Sequence, residues 1–327
     1  MFDAEPPCQA GEGTLLEPAT QQFIDSLAAA GGQGIGPLSA ADARALLAIA
    51  QVGMVGRPVA RIENVELPVG PTRSVGVRIV RPGSAKAALP VVMYFHGGGW
   101  MLGDRETHDR LIREIAVGAG AAVFFVDYDR APEARYPVAV EQAYAATKYA
   151  AEHGAQFDVD PTRLAVVGDG AGGNIAAAVA LLAKERRGPK IDLQVLFYPI
   201  AGADFETGSY RTFATGPWLT RQAMEWFWDS YLPDKAARQE ITATPLNAPI
   251  DRLMGLPETL IIVAENDVLR DEGECYARKL MQAGVRVTST RYNGTIHDFV
   301  MLNALADTPA ARSAIAQATT ALKSVLE

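Results

Sequence analysis

Between Gly168 and Gly173 the chain places four glycines in six residues, directly after the apolar run Leu164–Val167 and before an alanine-rich stretch that starts at Asn174. An apolar run, clustered glycine and then a helix-forming sequence read as strand, sharp turn and helix. That is the context of the nucleophile elbow G-x-S-x-G, whose central residue sits on a strained turn at a strand end. Gly168 and Gly172 supply the flanking glycines, and Gly170 stands where the serine is expected. Glycine suits the strained backbone of such a turn. The hydroxyl that would attack a carbonyl is absent from it.

The partners of such a nucleophile follow in order. Upstream, the apolar Val91–Phe95 runs into His96-Gly97-Gly98-Gly99-Trp100, an HGGG-type segment of the kind that supplies oxyanion-binding amides. Glycine is needed there because backbone N–H groups must approach a substrate oxygen closely, and side chains would block them. Each donor, about 3 Å from the developing charge, is worth roughly 3–4 kcal/mol. Downstream, the apolar Thr259–Ala264 ends in Glu265-Asn266-Asp267, and a later predicted strand leads to Thr295-Ile296-His297-Asp298-Phe299. A strand-end acid and then a loop histidine complete the order nucleophile, acid, base. Of His96, His108, His153 and His297, only His297 follows a candidate acid and opens a loop after a predicted strand.

These motifs resemble those of the bacterial hormone-sensitive-lipase-like (family IV) carboxylesterases of the α/β-hydrolase superfamily. The resemblance rests on His96–Trp100, on Gly168-Asp169-Gly170-Ala171-Gly172-Gly173 against the family's G-D-S-A-G-G, and on Asp267-Val268-Leu269-Arg270-Asp271-Glu272-Gly273. His297 with Phe299, and Val126–Glu133, add to it; the likeness runs from about Leu16 to the C-terminus and departs at one catalytic position, Gly170. It implies an α/β fold with a mostly parallel central sheet, helices on both faces and a helical cap. It also implies a short-chain carboxylic ester as substrate and no metal or organic cofactor, and it is compatible with a homodimer. By the same resemblance a serine at 170 would form an acyl-enzyme, His297 would carry its proton, and Asp267 would hold the imidazole tautomer. Amides of Gly98, Gly99 and Ala171 would bind the oxyanion, and Trp100 and Tyr210 are pocket candidates.

Glycine cannot take the first step. Removing the serine of a comparable triad costs on the order of 10⁶-fold in turnover. Asp169 is not expected to substitute, because the residue before the nucleophile points away from the opening. The expected product is a folded chain with an assembled but unloaded site. It is either an esterase whose serine has been replaced or a natural small-molecule receptor on the same fold. Intact Asp267, His297 and His96–Trp100 favour the first. A distant third reading arises because Gly168-x-Gly170-x-x-Gly173 also spells the dinucleotide fingerprint. That reading needs an acid near the end of the next strand, whereas Leu193–Tyr198 is followed by Pro199-Ile200-Ala201 and Asp192 lies at its start.

Composition narrows the remaining choices. A chain of 327 residues with 49% hydrophobic and 21% charged residues can bury a large globular core. A formal net charge of −8 argues against nucleic acid or an anionic membrane as partner. Cys8 and Cys275 lack metal-ligand spacing, which fits a reduced, cytoplasmic setting. Asp3 and Glu5 stand where a signal peptide would carry positive charge, and no apolar run reaches the about 18 residues of a membrane span.

Helices are predicted at about Pro18–Ala29 and Ala40–Val52, with Ser39 capping the second and Gly31-Gly32-Gln33-Gly34 as a flexible joint. Strands at about Ala60–Leu67, Val75–Val80, Val91–Phe95, Ala121–Asp127 and Val285–Tyr292 join those already named. Helices near Glu106–Gly118, Ala139–His153, Asn174–Arg186, Gly273–Ala283 and Pro309–Leu326 alternate with the later strands, which implies a mostly parallel sheet. The stretch Ala203–Pro245 breaks the alternation and concentrates Tyr210, Trp218, Trp226, Phe227, Trp228 and Tyr231. The expected division is residues 1–56 as the N-terminal part of a cap, 57–202 and 246–327 as the hydrolase core, and 203–245 as the cap insert.

Overall fold

Eight strands, β1 (Ala60–Leu67), β2 (Val75–Pro82), β3 (Leu89–Phe95), β4 (Ala122–Asp127), β5 (Val159–Asp169), β6 (Leu193–Phe197), β7 (Glu258–Asn266) and β8 (Val287–Ile296), form one sheet in the order β1-β2-β4-β3-β5-β6-β7-β8. The two pairings made by β2 are antiparallel and the other five are parallel. The computed structural model describes residues 14–29, 36, 38–83 and 88–327. The joint at Gly31–Gly34 and Cys8 lie outside the described residues.

The central strands read as unbroken apolar runs because both of their faces are covered. Val91–Phe95 of β3 and Leu164–Val167 of β5 are all 0% exposed, whereas edge strand β1 leaves most of its residues in solvent. Covering the sheet are α1 (Pro18–Ala29), α2 (Ala40–Ala50), α3 (Asp109–Ala119), α4 (Val138–Glu152), α5 (Ala171–Glu185), α6 (Gly208–Thr212), α7 (Arg221–Tyr231), α8 (Ile250–Leu253), α9 (Arg270–Gln282) and α10 (Pro309–Leu326). Among the described residues no helix is long and apolar enough to cross a membrane.

Where predicted boundaries moved, a local cause is visible. The Asp104 carboxylate accepts from the backbone N–H groups of Glu106 and Thr107, so residues 104–107 form a turn and α3 starts at Asp109. The α5 helix starts at Ala171, three residues early, because the elbow turns on Gly170 alone. Ser39 caps α2 as expected, its hydroxyl accepting from the Asp42 N–H at 3.1 Å.

Register positions the site. Phe95 pairs with Gly168 across β3 and β5, so His96 and Asp169 leave the sheet side by side. Beyond an irregularity at Ala264/Asn266, Asn266 pairs with Ile296, so the next residues on the two strands are Asp267 and His297. Both junctions lie at the C-terminal edge of parallel strands, where open α/β sheets place their ligands.

Candidate active site

Gly170 has φ 51° and ψ −114°, a conformation that side-chain-bearing residues rarely adopt. It is over-determined by backbone hydrogen bonds: its N–H donates to Phe197 O at 2.9 Å, and its carbonyl accepts from Asn174 and Ile200, both at 3.1 Å. A Cβ built on Gly170 would lie 3.3 Å from His297 Nε2, with His297 Cε1 at 3.6 Å and Gly97 Cα at 4.0 Å the next nearest atoms. The residue-170 side-chain direction therefore points at the imidazole.

His297 Nδ1 lies 2.7 Å from Asp267 Oδ2, and the other Asp267 oxygen accepts from the Leu269 N–H at 2.9 Å. A carboxylate so held accepts from Nδ1–H, which leaves Nε2 as the basic atom of the neutral ring. Burial works against a charge on His297, but the carboxylates of Asp267 and Asp298 outweigh it and raise its pKa to about 9. The Tyr198 ring meets the imidazole edge-on at 4.7 Å.

Asp298 belongs to the sequence motif His297-Asp298-Phe299, but nothing in that motif assigns it a role. Its Oδ2 accepts from Trp218 Nε1 at 2.9 Å, and its Oδ1 lies 3.5 Å from His297 Nε2 with no hydrogen-bond partner among the described residues. Burial pushes its carboxyl above the usual range. Phe23 of α1 packs on Trp218 at 5.5 Å, so the N-terminal helices reach the base loop through that indole.

On the opposite side, a Cβ on Gly98 would come within 3.0 Å of the Leu102 backbone, and one on Gly99 would enter the Phe227 ring of α7. The N–H groups of Gly98, Gly99 and Ala171 have no turn, loop or side-chain acceptor among the described residues, and Ala171 opens α5, where the first amides lack helical partners. Asp169 turns beneath this loop, away from the Gly170 side-chain direction. Its carboxylate accepts from Gly97 N–H at 3.1 Å and Tyr94 OH at 2.6 Å, with His108 Nε2 at 3.3 Å. Burial opposes its charge; His108 and Tyr94 overcome that and hold its pKa below the ordinary value. This Tyr94–His108–Asp169 cluster went unseen in the sequence because its members are up to 75 positions apart.

The two pocket candidates have other surroundings. Trp100 is 0% exposed, stacked on Tyr231 at 4.2 Å and edge-on to Trp228 at 4.7 Å, so it ties α7 to the His96–Trp100 segment. Tyr210 is also fully buried, packed edge-on against Phe205 at 5.4 Å. Apolar contact with the insert, which sequence could not place, claims both rings. Asp192, required by the dinucleotide reading at the other end of β6, accepts from the Leu164 N–H at the sheet's N-terminal edge. Among the described residues no group of three or more His, Cys, Asp and Glu could hold a metal ion.

A family model described as the alpha/beta hydrolase fold matches residues 92–301, the span that contains Gly97–Gly99, Gly170, Asp267 and His297. The chain belongs to the α/β-hydrolase family. An esterase from Pseudomonas putida described as thermostable superposes with a TM-score of 0.94 at 49% identity, covering 96% of this chain and 99% of its own. The esterase rPPE, solved as a serine-to-alanine mutant complexed with (S)-Ac-CPA, gives the same TM-score, identity and coverage. The carboxylesterase NlhH of Mycobacterium tuberculosis is 40% identical over 273 residues, 82% of this chain and 84% of that relative.

Proposed function

We propose that this chain is a hormone-sensitive-lipase-like carboxylic-ester hydrolase whose nucleophile position is occupied by Gly170. The observation that carries this reading is the 3.3 Å from a Gly170 Cβ to His297 Nε2, on a ring whose Nδ1 is held by Asp267. A serine there would attack the ester carbonyl while Nε2 takes its proton. The amides of Gly98, Gly99 and Ala171 would hold the oxyanion, and His297 would return the proton to the leaving alcohol. Water would then release the acid from the acyl-enzyme. The substrate is a small short-chain ester, and the setting is cytoplasmic. Residues 1–56 and 203–245 act as the cap over a core of 57–202 and 246–327; Phe227 against the oxyanion loop and Trp218 against Asp298 support that division.

The decisive experiment compares p-nitrophenyl acetate hydrolysis by this chain and by Gly170→Ser. A gain on the order of 10⁶-fold supports a replaced nucleophile. A natural small-molecule receptor is the second reading, favoured by Gly170 itself; a folded but silent Gly170→Ser would support it and sink the esterase.

A further inference from the structure

The interest of glycine at position 170, as opposed to any other residue without a hydroxyl, lies in what it leaves beside the base. Alanine would place its methyl carbon 3.3 Å from His297 Nε2 and 3.6 Å from Cε1, pressed more tightly than ordinary van der Waals contact against the atom that takes the proton. Without that carbon, the space between the Gly170 backbone and Nε2 is left to a small group such as a water or the hydroxyl end of a small alcohol, standing off at non-bonded distance from both. The base is in place without a side chain at 170: Nδ1 is held by Asp267 at 2.7 Å, and Nε2 faces the open position. Asp298 Oδ1, on a residue 3% exposed, lies 3.5 Å from Nε2 without a partner among the described residues and offers a second acceptor for a small hydroxyl molecule. The three oxyanion amides do not depend on residue 170's side chain.

We propose that the chain is itself a slow single-displacement acyl-transfer catalyst, in which water or a small primary alcohol takes the place of the residue-170 side chain and attacks the ester directly. This rests on the ester-hydrolase reading above. The nucleophile's oxygen bonds to the carbonyl carbon while its proton passes to His297 Nε2. The resulting oxyanion is held by Gly98, Gly99 and Ala171. Collapse breaks the bond to the leaving oxygen, which recovers the proton from Nε2. Water yields an acid and an alcohol; a small alcohol yields a new ester and the original alcohol. No acyl-enzyme forms.

This differs from the ordinary outcome of losing a triad serine, where removing the serine alone costs about as much as removing the whole triad, so the histidine is idle. Here His297 stays at work. The test follows p-nitrophenyl acetate with this chain, Gly170→Ala, Gly170→Ser, and this chain carrying His297→Asn. The expected result is that this chain outpaces Gly170→Ala by about 10²-fold, the lower range of general-base catalysis, and that His297→Asn erases the difference. Gly170→Ser should therefore lead Gly170→Ala by about 10⁶-fold but this chain by only about 10⁴-fold. Methanol should raise p-nitrophenol release linearly. The ratio of methyl acetate to acetate should change when phenyl acetate replaces p-nitrophenyl acetate. A common acyl-enzyme, as in Gly170→Ser, would give one ratio for both.

Gly170→Ser carries the same backbone strain as Gly170→Ala and so checks that the turn tolerates a Cβ. If the alanine variant fails to fold, the His297→Asn comparison decides alone. An active Gly170→Ser beside a parent no faster than Gly170→Ala, or unaffected by His297→Asn, overturns the direct-attack proposal only. A folded, silent Gly170→Ser overturns the esterase reading and this proposal with it.

Discussion

Two sets of glycines meet at the site, and they do opposite things. At Gly97, Gly98, Gly99, Gly168, Gly172 and Gly173 an added Cβ would come within 3.0 Å of a neighbouring atom, and for Gly98, Gly168 and Gly172 that neighbour is backbone. At Gly170 the nearest atom would be 3.3 Å away, and it is the basic nitrogen of His297. The first set is glycine because packing demands it. At Gly170 a Cβ would need only a few tenths of an ångström of give from the imidazole, and the positive φ is held by three backbone hydrogen bonds. The surroundings of Gly170 are thus tightly packed everywhere except on the side of His297.

The gain expected for Gly170→Ser is the largest test of that contrast. In the serine-restored chain, Asp267→Asn should then lower turnover by about 10⁴-fold, through loss of the Nδ1–H tautomer, with little change in melting temperature. A loss below tenfold would mean that the acid–base half is not tuned to a nucleophile at 170. Next in size, Gly99→Ala in the same background should cost about 10²–10³-fold in kcat by displacing an oxyanion donor. Because the obstruction is the Phe227 ring, adding Phe227→Ala should restore part of that loss. Gly98→Ala meets the Leu102 backbone, and no single side-chain trim should rescue it. Equal rescue of both would blur the distinction between the two sets.

The smallest expected effect is a shift along the pH axis. His297 acts as a base only when neutral, and its pKa stands near 9, raised from 6.5 by Asp267 and Asp298 against the effect of burial. The rate of the serine-restored chain should therefore climb with pH through about 9. Asp298→Asn removes one of the two carboxylates and should move that limb to lower pH. An unmoved limb would show that Asp298 does not bear on the base. The linked stability term has the same origin: the raised pKa favours the fold fully below about 6.5, and this contribution is lost as pH rises through about 9.

Much of this was legible in the chain. Unbroken apolar runs at Val91–Phe95 and Leu164–Val167 marked strands buried on both faces, and the glycine clusters after them marked the loops at one sheet edge. Asp267 and His297 could be picked out because each follows a predicted strand, and a strand end is a local property. The packing of Trp100 and Tyr210 was not legible, for the complementary reason. Whether an aromatic ring lines an opening or fills a contact depends on which helix lies over it, and α7 lies over Trp100. The Tyr94–His108–Asp169 cluster escaped because nothing within a few residues of any of them requires the others, and the bond from the Trp218 indole to Asp298 escaped because 80 positions separate the two.

The sequence by itself determined the alternation of elements, the order of Gly170, Asp267 and His297 at strand ends, and the absence of a side-chain oxygen at residue 170, since these depend on local periodicity and residue identity. Only the tertiary structure decided that Asn266 pairs with Ile296, and so that Asp267 and His297 meet at 2.7 Å. It alone decided that the Asp169 carboxylate accepts from the Gly97 N–H, and that a Cβ at Gly170 would face His297 Nε2 while the surrounding glycines are closed in. Those outcomes depend on strand register and on packing between residues far apart in the chain, which only the folded backbone brings together.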